Sequence, residues 1–247
     1  MRIAFLGTGA SGGTPGGGRS ARRESSALIE HECSVLVDVT RHFPAQAATV
    51  EHLDAVLLTH AHRDAAGGIA ALRRWCEARA LPPLSLYASP QALAVLDGRH
   101  RRLDHLRLRA VEPRRPRRIG PLQVTAIDVP HAREPRFRTY AWRLRAPDAT
   151  LVYASDVARL EPALQQLATG ADLLVIDGAM WRRPLFAHLT IDRELPALCR
   201  WPVKRILLTQ IGRTAPPHER LERAVGELCP RAAPAWDGLL IDLGAGG

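Results

Sequence analysis

The sequence predicts an α/β layered domain, and three observations support this fold class. Short apolar runs of strand length alternate with amphipathic helical segments along the whole chain. Polar residues follow several of these runs, at the strand ends where open α/β sheets place their sites. No linker rich in serine, glycine or charge divides the sequence. We therefore expect a single domain over residues 1–247, with the 46% hydrophobic residues providing an ordinary core.

The first half of the chain begins with the apolar strand RIAFL and continues with a hairpin whose second strand reads SVLVDV. A helix is predicted where Ile69, Leu72, Trp75 and Cys76 recur at helical spacing. Another is predicted where Ser89 and Pro90 form a helix start. The predicted strands are residues 2–6, 26–31, 34–39, 55–58 and 84–87, and the predicted helices include 44–52 and 65–80.

The second half repeats the alternation of strands and helices. Several of its apolar runs end in a polar residue, as at His131, Asp156, Asp177 and Gln210. The predicted strands are residues 122–129, 139–145, 150–154, 172–176, 205–208 and 238–243, and the predicted helices are 160–167, 191–199 and 218–228.

A glycine-rich loop, GTGASGGTPGGG, follows the first strand at residues 7–18. Gly7, Gly9 and Gly12 match the GxGxxG pattern of dinucleotide-binding loops, but Gly13 and Pro15 stand where the helix of that motif should begin. No Lys-Ser/Thr pair follows, so a P-loop is also excluded. The interpretation that remains is a loop that approaches another backbone or a ligand closely.

The four cysteines, Cys33, Cys76, Cys199 and Cys229, lie far apart and form no CxxC pair. Neither a disulfide framework nor a structural zinc site is predicted from them, and we interpret them as buried thiols. The chain has no apolar run of 18 residues, and residues 1–9 resemble a strand rather than a leader peptide. We therefore expect a cytoplasmic protein without a membrane partner.

The formal net charge of +9 comes from arginine, since Lys204 is the only lysine. Compositional bias in a genome would give the same charge, so it is weak support for a nucleic-acid partner. Residues 99–118 (RHRRLDHLRLRAVEPRRPRR) are the densest basic segment and contain no aromatic residues that could stack on bases. We interpret this segment as a solvated connector, and the alternative is a patch that follows phosphate groups.

The stretch AVLLTHAHRDAAGG at residues 55–68 carries the most chemistry. The apolar run at residues 55–58 is predicted to be a buried strand, and His60, His62 and Asp64 follow it at alternating positions. Two imidazoles and a carboxylate within five residues can bind a divalent ion. The alternative from this stretch alone is a polar loop with two solvated histidines.

Together with His131 and Asp156, these residues resemble the metallo-β-lactamase superfamily and its HxHxDH motif. The resemblance implies a four-layer αββα sandwich with a metal site between two sheets. Four features look most like the cyclic phosphodiesterases of the carbon–phosphorus lyase (phosphonate) pathway, which are similar to tRNA 3′-processing nucleases. They are LGTGASGGTPG, the hairpin ending in Asp38, YASDVARL, and HLTIDREL at His188.

Two departures from the family pattern affect the metal site. The final histidine of the motif is Ala65, and the histidine expected in LLTH is Gln210. In the family, those histidines bind a second ion together with the residues that match Asp64 and Asp156. The resemblance therefore predicts one intact site made of His60, His62, His131 and Asp156. The cysteine-rich insertion of the phosphonate-pathway enzymes has no counterpart after Gly18, so we expect no additional structural zinc.

Three neutral imidazoles and a carboxylate suit Zn²⁺, with Mn²⁺ or Fe²⁺ as alternatives, and we expect about one ion per chain. Such an ion can activate a hydroxide nucleophile and polarise a phosphoryl oxygen. We expect Asp64 to act as a general base and to contribute to the metal site, and Gln210 to contact water or substrate. His188 matches the family histidine proposed to protonate the leaving group; the alternative is that it caps or packs near a helix.

We interpret Asp38, Asp177 and Asp237 as loop caps, although one of them could support a ligand histidine. The other histidines carry no motif and are interpreted as surface or core residues. The predicted function is a metal-dependent phosphodiesterase that acts on a small or cyclic phosphate ester. The alternatives are a non-catalytic metal- or ligand-binding protein and a ribonuclease of the tRNA-processing type. Nucleic acid is not the favoured partner, and a homodimer is compatible with the sequence.

Overall fold

Two seven-stranded sheets pack face to face in a computed structural model that describes residues 1–244. Helices cover the outer face of each sheet, so the predicted four-layer αββα sandwich is confirmed. The first sheet has the strand order β14-β1-β2-β3-β4-β5-β6, and the second has the order β13-β12-β11-β10-β9-β8-β7. Each half of the chain therefore builds mainly one sheet, and β14 returns to the first.

In each sheet, three antiparallel strand pairs are followed by three parallel pairs. They are β1 (Arg2–Gly7), β2 (Ser26–Glu30), β3 (Ser34–Val37), β4 (Ala55–Leu57), β5 (Leu84–Ala88), β6 (Leu106–Ala110), β7 (Arg117–Ile119), β8 (Leu122–Val129), β9 (Thr139–Arg145), β10 (Thr150–Ala154), β11 (Leu173–Asp177), β12 (Arg205–Thr209), β13 (Ala232–Pro234) and β14 (Leu240–Asp242).

The helices connect the strands across the outer faces. They are α1 (Phe43–Gln46), α2 (Arg63–Ala66), α3 (Ile69–Glu77), α4 (Pro90–Arg99), α5 (Pro162–Ala168), α6 (Ile191–Leu198) and α7 (His218–Leu228). The single helix predicted over residues 65–80 is wrong, because Gly67 and Gly68 separate α2 from α3. A Cβ at Gly68 would collide with the Thr40 carbonyl oxygen, so this close backbone approach requires glycine.

The core has three apolar layers, one between the two sheets and one between each sheet and its helices. Successive residues of a strand point to opposite faces of the sheet, so they pack into different layers. In β4, Leu57 packs between the sheets while Val56 packs under the helices of the first sheet. In β10, Tyr153 and Val152 divide in the same way between the central layer and the helical layer of the second sheet. Because both faces of the central strands are buried, these strands are apolar along their whole length.

The interpretation of residues 99–118 as a solvated connector is wrong. The segment contains β6 and β7, which are the edge strands of the two sheets at one end of the sandwich. Leu106 is buried under the helical layer while Arg107 and Arg109 are exposed. An edge strand needs only one apolar face, so alternating leucine and arginine is compatible with strand structure.

The interpretation of all four cysteines as thiols is also wrong. Cys199 and Cys229 form a disulfide with their Cα atoms 5.5 Å apart. Cys199 directly follows α6 and Cys229 directly follows α7, so packing of these two helices brings together residues 30 positions apart. Cys33 and Cys76 are free thiols. The spacing of cysteines along the sequence did not indicate the Cys199–Cys229 pair, because only the packing of α6 against α7 brings the two residues together.

Within residues 1–244, none of the helices combines the length and the apolar character needed to cross a lipid bilayer.

Candidate metal centre

The predicted site residues follow strands of both sheets. His60 and His62 come after β4 of the first sheet, whereas His131 follows β8 and Asp156 follows β10 of the second. Strands β8 and β10 run in the same direction because each is antiparallel to β9. Their carboxyl ends therefore meet the end of β4 at one edge of the sandwich.

Three imidazoles, those of His60, His62 and His131, converge at this edge. One ring nitrogen from each lies within 4.8 Å of the other two. Nδ1 of His62 is 3.3 Å from Nε2 of His131, and the ring of His60 lies 4.7 and 5.0 Å from the rings of His62 and His131. Nε2 of His60 is buried and has no hydrogen-bond partner. Such an unpartnered group fits a bound cation, because an unused buried acceptor costs free energy.

The first ligand histidine is oriented by Asp38. This buried carboxylate accepts hydrogen bonds from the Thr59 amide (2.7 Å) and the Thr59 hydroxyl (2.8 Å). The same hydroxyl lies 3.0 Å from Nδ1 of His60, which leaves Nε2 to face the cluster. Asp38 therefore caps the loop after β4 and also supports a candidate ligand, so it combines the two roles considered for it from the sequence.

Burial keeps two of these imidazoles neutral. It lowers the pKa of His60 to about 4, against the opposing effect of the Asp156 charge. Burial and the neighbouring His60 also lower the pKa of His62 to about 4. Neutral imidazole is the form that binds a metal ion, so both ligands are available at neutral pH.

His131 is oriented by the backbone and approaches Asp156. Its Nδ1 lies 2.8 Å from the carbonyl oxygen of Ala187, and its Nε2 is 3.8 Å from Oδ1 of Asp156. Burial alone would raise the pKa of Asp156, but the positive charge that His60 and His131 can carry outweighs it and lowers the pKa to about 2. Asp156 is therefore an anion beside the imidazole cluster.

His188 belongs to a second group of possible ligands, with His131 and Asp156, whose donor atoms lie within 4.8 Å of one another. Its Nδ1 is 2.7 Å from Oδ2 of Asp177, and that carboxylate also accepts hydrogen bonds from the amides of Val157 and Ala179. Burial would lower the pKa of His188, but the Asp177 charge and hydrogen bond raise it to about 9. Asp177 thus caps two loops and holds a protonated imidazole.

Asp64 lies in the first turn of α2 and lines the cleft, but it is in neither of the two ligand groups found among residues 1–244. Burial and the charge of Asp156 raise its pKa. The neighbouring Ala65 is buried and packs in the apolar layer under the first sheet. The side of the centre where the family has its second ion therefore contains a carboxylate and a methyl group.

Gln210 directly follows β12 and completes that side of the centre. Its amide donates a hydrogen bond of 2.8 Å to Oδ1 of Asp156. Its backbone has a φ of 58°, in the left-handed region that costs free energy for any residue other than glycine. The Gln210 amide therefore donates to the same Asp156 oxygen, Oδ1, that faces His131.

An open cleft of about 520 Å³ leads to the imidazoles. Its lining includes Arg63, Arg133, Phe137 and Phe186. The ring of Phe137 packs 4.0 Å from the ring of His62, and Phe186 is exposed with the Arg133 guanidinium 4.6 Å from its ring. Sequence reasoning missed these contacts because no pattern marks the loop that carries Phe137.

Two residues that precede candidate ligands in the sequence also hydrogen-bond to them or lie within hydrogen-bond distance of them. Thr59 directly precedes His60, and Ser155, whose hydroxyl donates to Asp156 at 2.6 Å, directly precedes its partner. Adjacency to a candidate ligand could have identified both. Asp237 accepts hydrogen bonds from Thr8 and from the Arg23 amide beside the glycine-rich loop, so it acts there as a loop cap.

The family model described as the β-lactamase superfamily domain matches residues 34–211. Among curated proteins, an octanoyltransferase of Porphyromonas gingivalis is 28% identical over an alignment of 267 positions, gaps included. That alignment covers 97% of this chain and 51% of the relative. The chain therefore spans about half the length of the curated relative it matches.

Solved structures share this fold over nearly the whole chain. A new diphosphatase from the PhnP family has a TM-score of 0.85 at 24% identity, covering 98% of this chain and 97% of its own. Zn²⁺-bound PqqB from Methylobacterium extorquens has a TM-score of 0.84 at 21% identity, covering 98% and 100%. The short form of human tRNase Z has a TM-score of 0.74 at 16% identity, covering 98% and 99%. At these identities the similarity concerns the fold.

Proposed function

The chain belongs to the metallo-β-lactamase superfamily, and from this premise we propose that it is a metal-dependent phosphodiesterase acting on a small or cyclic phosphate ester. The observation that carries the proposal is the position of His188, whose Nδ1 lies 2.7 Å from Asp177, beside the three converging imidazoles. A cluster of neutral nitrogen donors supports a metal-dependent hydrolase, and an adjacent proton donor supports the release of an alkoxide.

His60, His62, His131 and Asp156 would hold the ion. Bound there, the ion would lower the pKa of a water molecule and polarise a phosphoryl oxygen. Zn²⁺ suits three nitrogen donors and one carboxylate, and the Zn²⁺-bound state of the related PqqB structure supports the same ion. Mn²⁺ or Fe²⁺ would fit the same donors.

Asp64 would orient the attacking water. It lines the cleft within the first turn of α2, and it is half-buried rather than fully enclosed. Because its pKa is raised by burial and by Asp156, its carboxylate is a stronger base than a solvated aspartate. The cationic Arg63 and Arg133 on the same cleft would attract an anionic ester.

His188 would donate a proton to the departing oxygen. Asp177 stabilises the imidazolium form, and the two amides that bind Asp177 hold this carboxylate in place. Lactam and lactone opening depend less on an imidazolium at this position, so the His188–Asp177 pair favours phosphate ester chemistry within the superfamily.

We propose that a single ion is bound. A second ion would need donors from positions 65 and 210, where an alanine methyl group and a neutral amide stand. The Gln210 amide already donates to Oδ1 of Asp156, and an N–H group repels a cation. Gln210 could still contact water or substrate through its carbonyl oxygen.

Two alternatives remain testable: a non-catalytic metal-binding protein and a ribonuclease. The similarity to human tRNase Z supports the second. The cytoplasmic location, the link to phosphonate metabolism and a homodimeric state stay predictions.

The first test is the metal content of protein purified without chelator or a metal-binding tag, combined with hydrolysis of bis(p-nitrophenyl) phosphate. We expect about one ion per chain, and turnover that a chelator abolishes and Zn²⁺ or Mn²⁺ restores. Protein without metal or turnover after such additions would contradict the proposal and favour the non-catalytic alternative. Two ions per chain would contradict the single-ion proposal.

A further inference from the structure

The two edge strands β6 and β7 place a band of arginines along one end of the sandwich. Arg109 pairs with Tyr87 and Arg117 pairs with Val124, and both partners contribute to the layer between the sheets. Arg107, Arg109 and Arg117 therefore lie along the open side of the sandwich. The Arg117 guanidinium donates to the Ala110 carbonyl oxygen at 3.3 Å, so it connects the edges of the two sheets.

The band continues over the outer face of the second sheet. Arg118 pairs with Gln123, and Gln123 pairs with Arg145, so these side chains form one row across three strands. Arg143 lies one pleat further along β9. A cleft of about 460 Å³ between this face and α5 is lined by Arg114, Arg143 and Arg145, and its lining contains no carboxylate.

We define the basic face as Arg107, Arg109, Arg114, Arg117, Arg118, Arg143 and Arg145. Within residues 1–244, none of these seven arginines forms an ion pair within 4.0 Å. The only carboxylate within residues 105–120 is Glu112, which pairs with Arg115 at 3.1 Å. Helix α7 is different, since Arg220 and Arg223 alternate there with glutamates 219, 222 and 227. The basic face is therefore a local excess of positive charge, beyond the arginine-rich composition of the chain.

Protection of edge strands explains part of this pattern. Charged side chains on β6 and β7 would prevent another sheet from pairing with these edges. However, β9 is an interior strand that pairs with both β8 and β10. Arg143 and Arg145 therefore have no edge to protect, and Arg114 lies in a loop. The Arg143 guanidinium also donates to the Leu167 and Thr169 carbonyl oxygens and so fixes the end of α5, which leaves Arg145 and Arg114 as the cations that neither role explains.

We propose that the basic face binds the phosphodiester backbone of single-stranded nucleic acid. Seven cations over two sheets exceed the charge that one phosphate group can neutralise, so they fit a chain of phosphates. The cleft lining and the segment of residues 105–120 contain no aromatic side chain, which favours backbone contacts over base stacking. The cleft beside α5 has a volume of about 460 Å³, which is too small to enclose a duplex, so the proposal is for a single strand. This inference is independent of the phosphodiesterase activity, because the basic face contains none of the residues of the metal centre.

The test is the binding of a fluorescein-labelled oligouridylate of about 20 nucleotides, followed by fluorescence anisotropy at two salt concentrations. Contacts to about five phosphates on a single strand predict a slope of about −3.5 in log affinity against log salt. Raising NaCl from about 50 to 200 mM should therefore weaken binding about 100-fold.

The test variant carries Arg107→Gln, Arg109→Gln, Arg118→Gln and Arg145→Gln, all at exposed positions. It should lose at least about 30-fold in affinity, and its salt slope should become shallower by about 2 to 3. The matched control removes the same charge at Arg193, Arg200, Arg220 and Arg223, which are also exposed. The control should change affinity by less than about 3-fold. Melting temperature and metal content verify that both variants are folded.

Three results would overturn the inference. The first is equal loss of affinity in the two variants, which would indicate a general charge effect. The second is absence of oligouridylate binding to the wild-type protein in low salt. The third is complete displacement of the oligonucleotide by about 1 mM inorganic phosphate, which would indicate a site for a small anion. Hydrolysis of bis(p-nitrophenyl) phosphate is measured in parallel, so failure of the proposed catalytic function would be recognised separately.

Discussion

The two sides of the metal centre are built in different ways. On one side, His60 and His131 each have a partner that fixes the ring, through Thr59 and the Ala187 carbonyl oxygen respectively. On the other side, Ala65 packs into an apolar layer and Gln210 occupies an oxygen of Asp156 with its amide. The difference shows that a complete set of hydrogen-bonded imidazoles can lie directly beside a position whose side chains are poor metal donors.

Asp38 and Gln210 strengthen this comparison. Both follow strands and both have a backbone φ near 60°, with 62° at Asp38 and 58° at Gln210. Each conformation costs of the order of 1 kcal/mol or more for a residue other than glycine. In Asp38 this conformation accompanies a carboxylate that supports His60. At Gln210 the same conformation directs the side-chain amide to Asp156, where it donates a hydrogen bond, although a neutral amide is a poor metal ligand.

The largest expected effect comes from His131→Ala. It removes one of three imidazoles from the complete side, so we expect loss of the ion and a fall in kcat/KM of more than about 100-fold, beyond the 10- to 100-fold typical of residues that only orient a ligand. Metal analysis and steady-state kinetics check this result. His52→Ala is the control, because His52 is exposed and contacts Asp54 away from the centre. Unchanged metal content in the His131 variant would refute the ligand assignment.

His188→Gln tests the proton donor that adjoins both sides. Substrates with a poorly leaving alkyl group should lose about 10²- to 10⁴-fold in kcat, as expected for removal of a general acid. Bis(p-nitrophenyl) phosphate should lose only a few-fold, because p-nitrophenolate departs without a proton. The ratio of the two rates is the measurement. An equal loss for both substrates would show that His188 acts as a metal ligand or as a structural residue instead.

Asp38→Asn tests the support of the complete side. It replaces one of the two oxygen atoms that accept hydrogen bonds from Thr59 with an amide NH₂, so the orientation of His60 should loosen and the metal affinity should fall about 10- to 100-fold. Competition with a chromogenic chelator measures this affinity. Asp54→Asn is the matched control, since Asp54 also accepts a backbone amide hydrogen bond but lies on the surface. Equal affinity in the two variants would mean that Asp38 only caps its loop.

Restoring the altered side should have the smallest effect on rate. We expect Ala65→His with Gln210→His to raise the metal content from about one toward two ions per chain, with a change in kcat of less than about 10-fold. Each single variant should stay near one ion, because neither completes a donor set alone. If the folded double variant still holds one ion, the side chains at 65 and 210 are not what limits binding.

Much of the fold was predictable because its signals are local. Apolar runs of strand length and helical periodicity identified most elements, and α7 was predicted with its observed limits. His60, His62, His131, Asp156 and Gln210 stood out because each follows an apolar strand. The role of His188 was predicted only through the resemblance to the superfamily. The edge strands β6 and β7 were missed because their many arginines suggested a solvated segment, although leucine and arginine alternate in β6 as they do in a strand. Strand β13 was missed because its three residues are too few to show a pattern.

The sequence by itself predicted which residues form the candidate site, because residue type and spacing after a strand are local properties of the chain. It also determined the altered second position, since Ala65 and Gln210 can be read directly. Only the tertiary structure decided which groups meet: His131 beside His62, Asp177 beside His188, and Cys199 with Cys229. The arginines of β6, β7 and β9 likewise form one face only after two sheets pack, because such contacts depend on the crossing of distant elements and not on spacing along the chain.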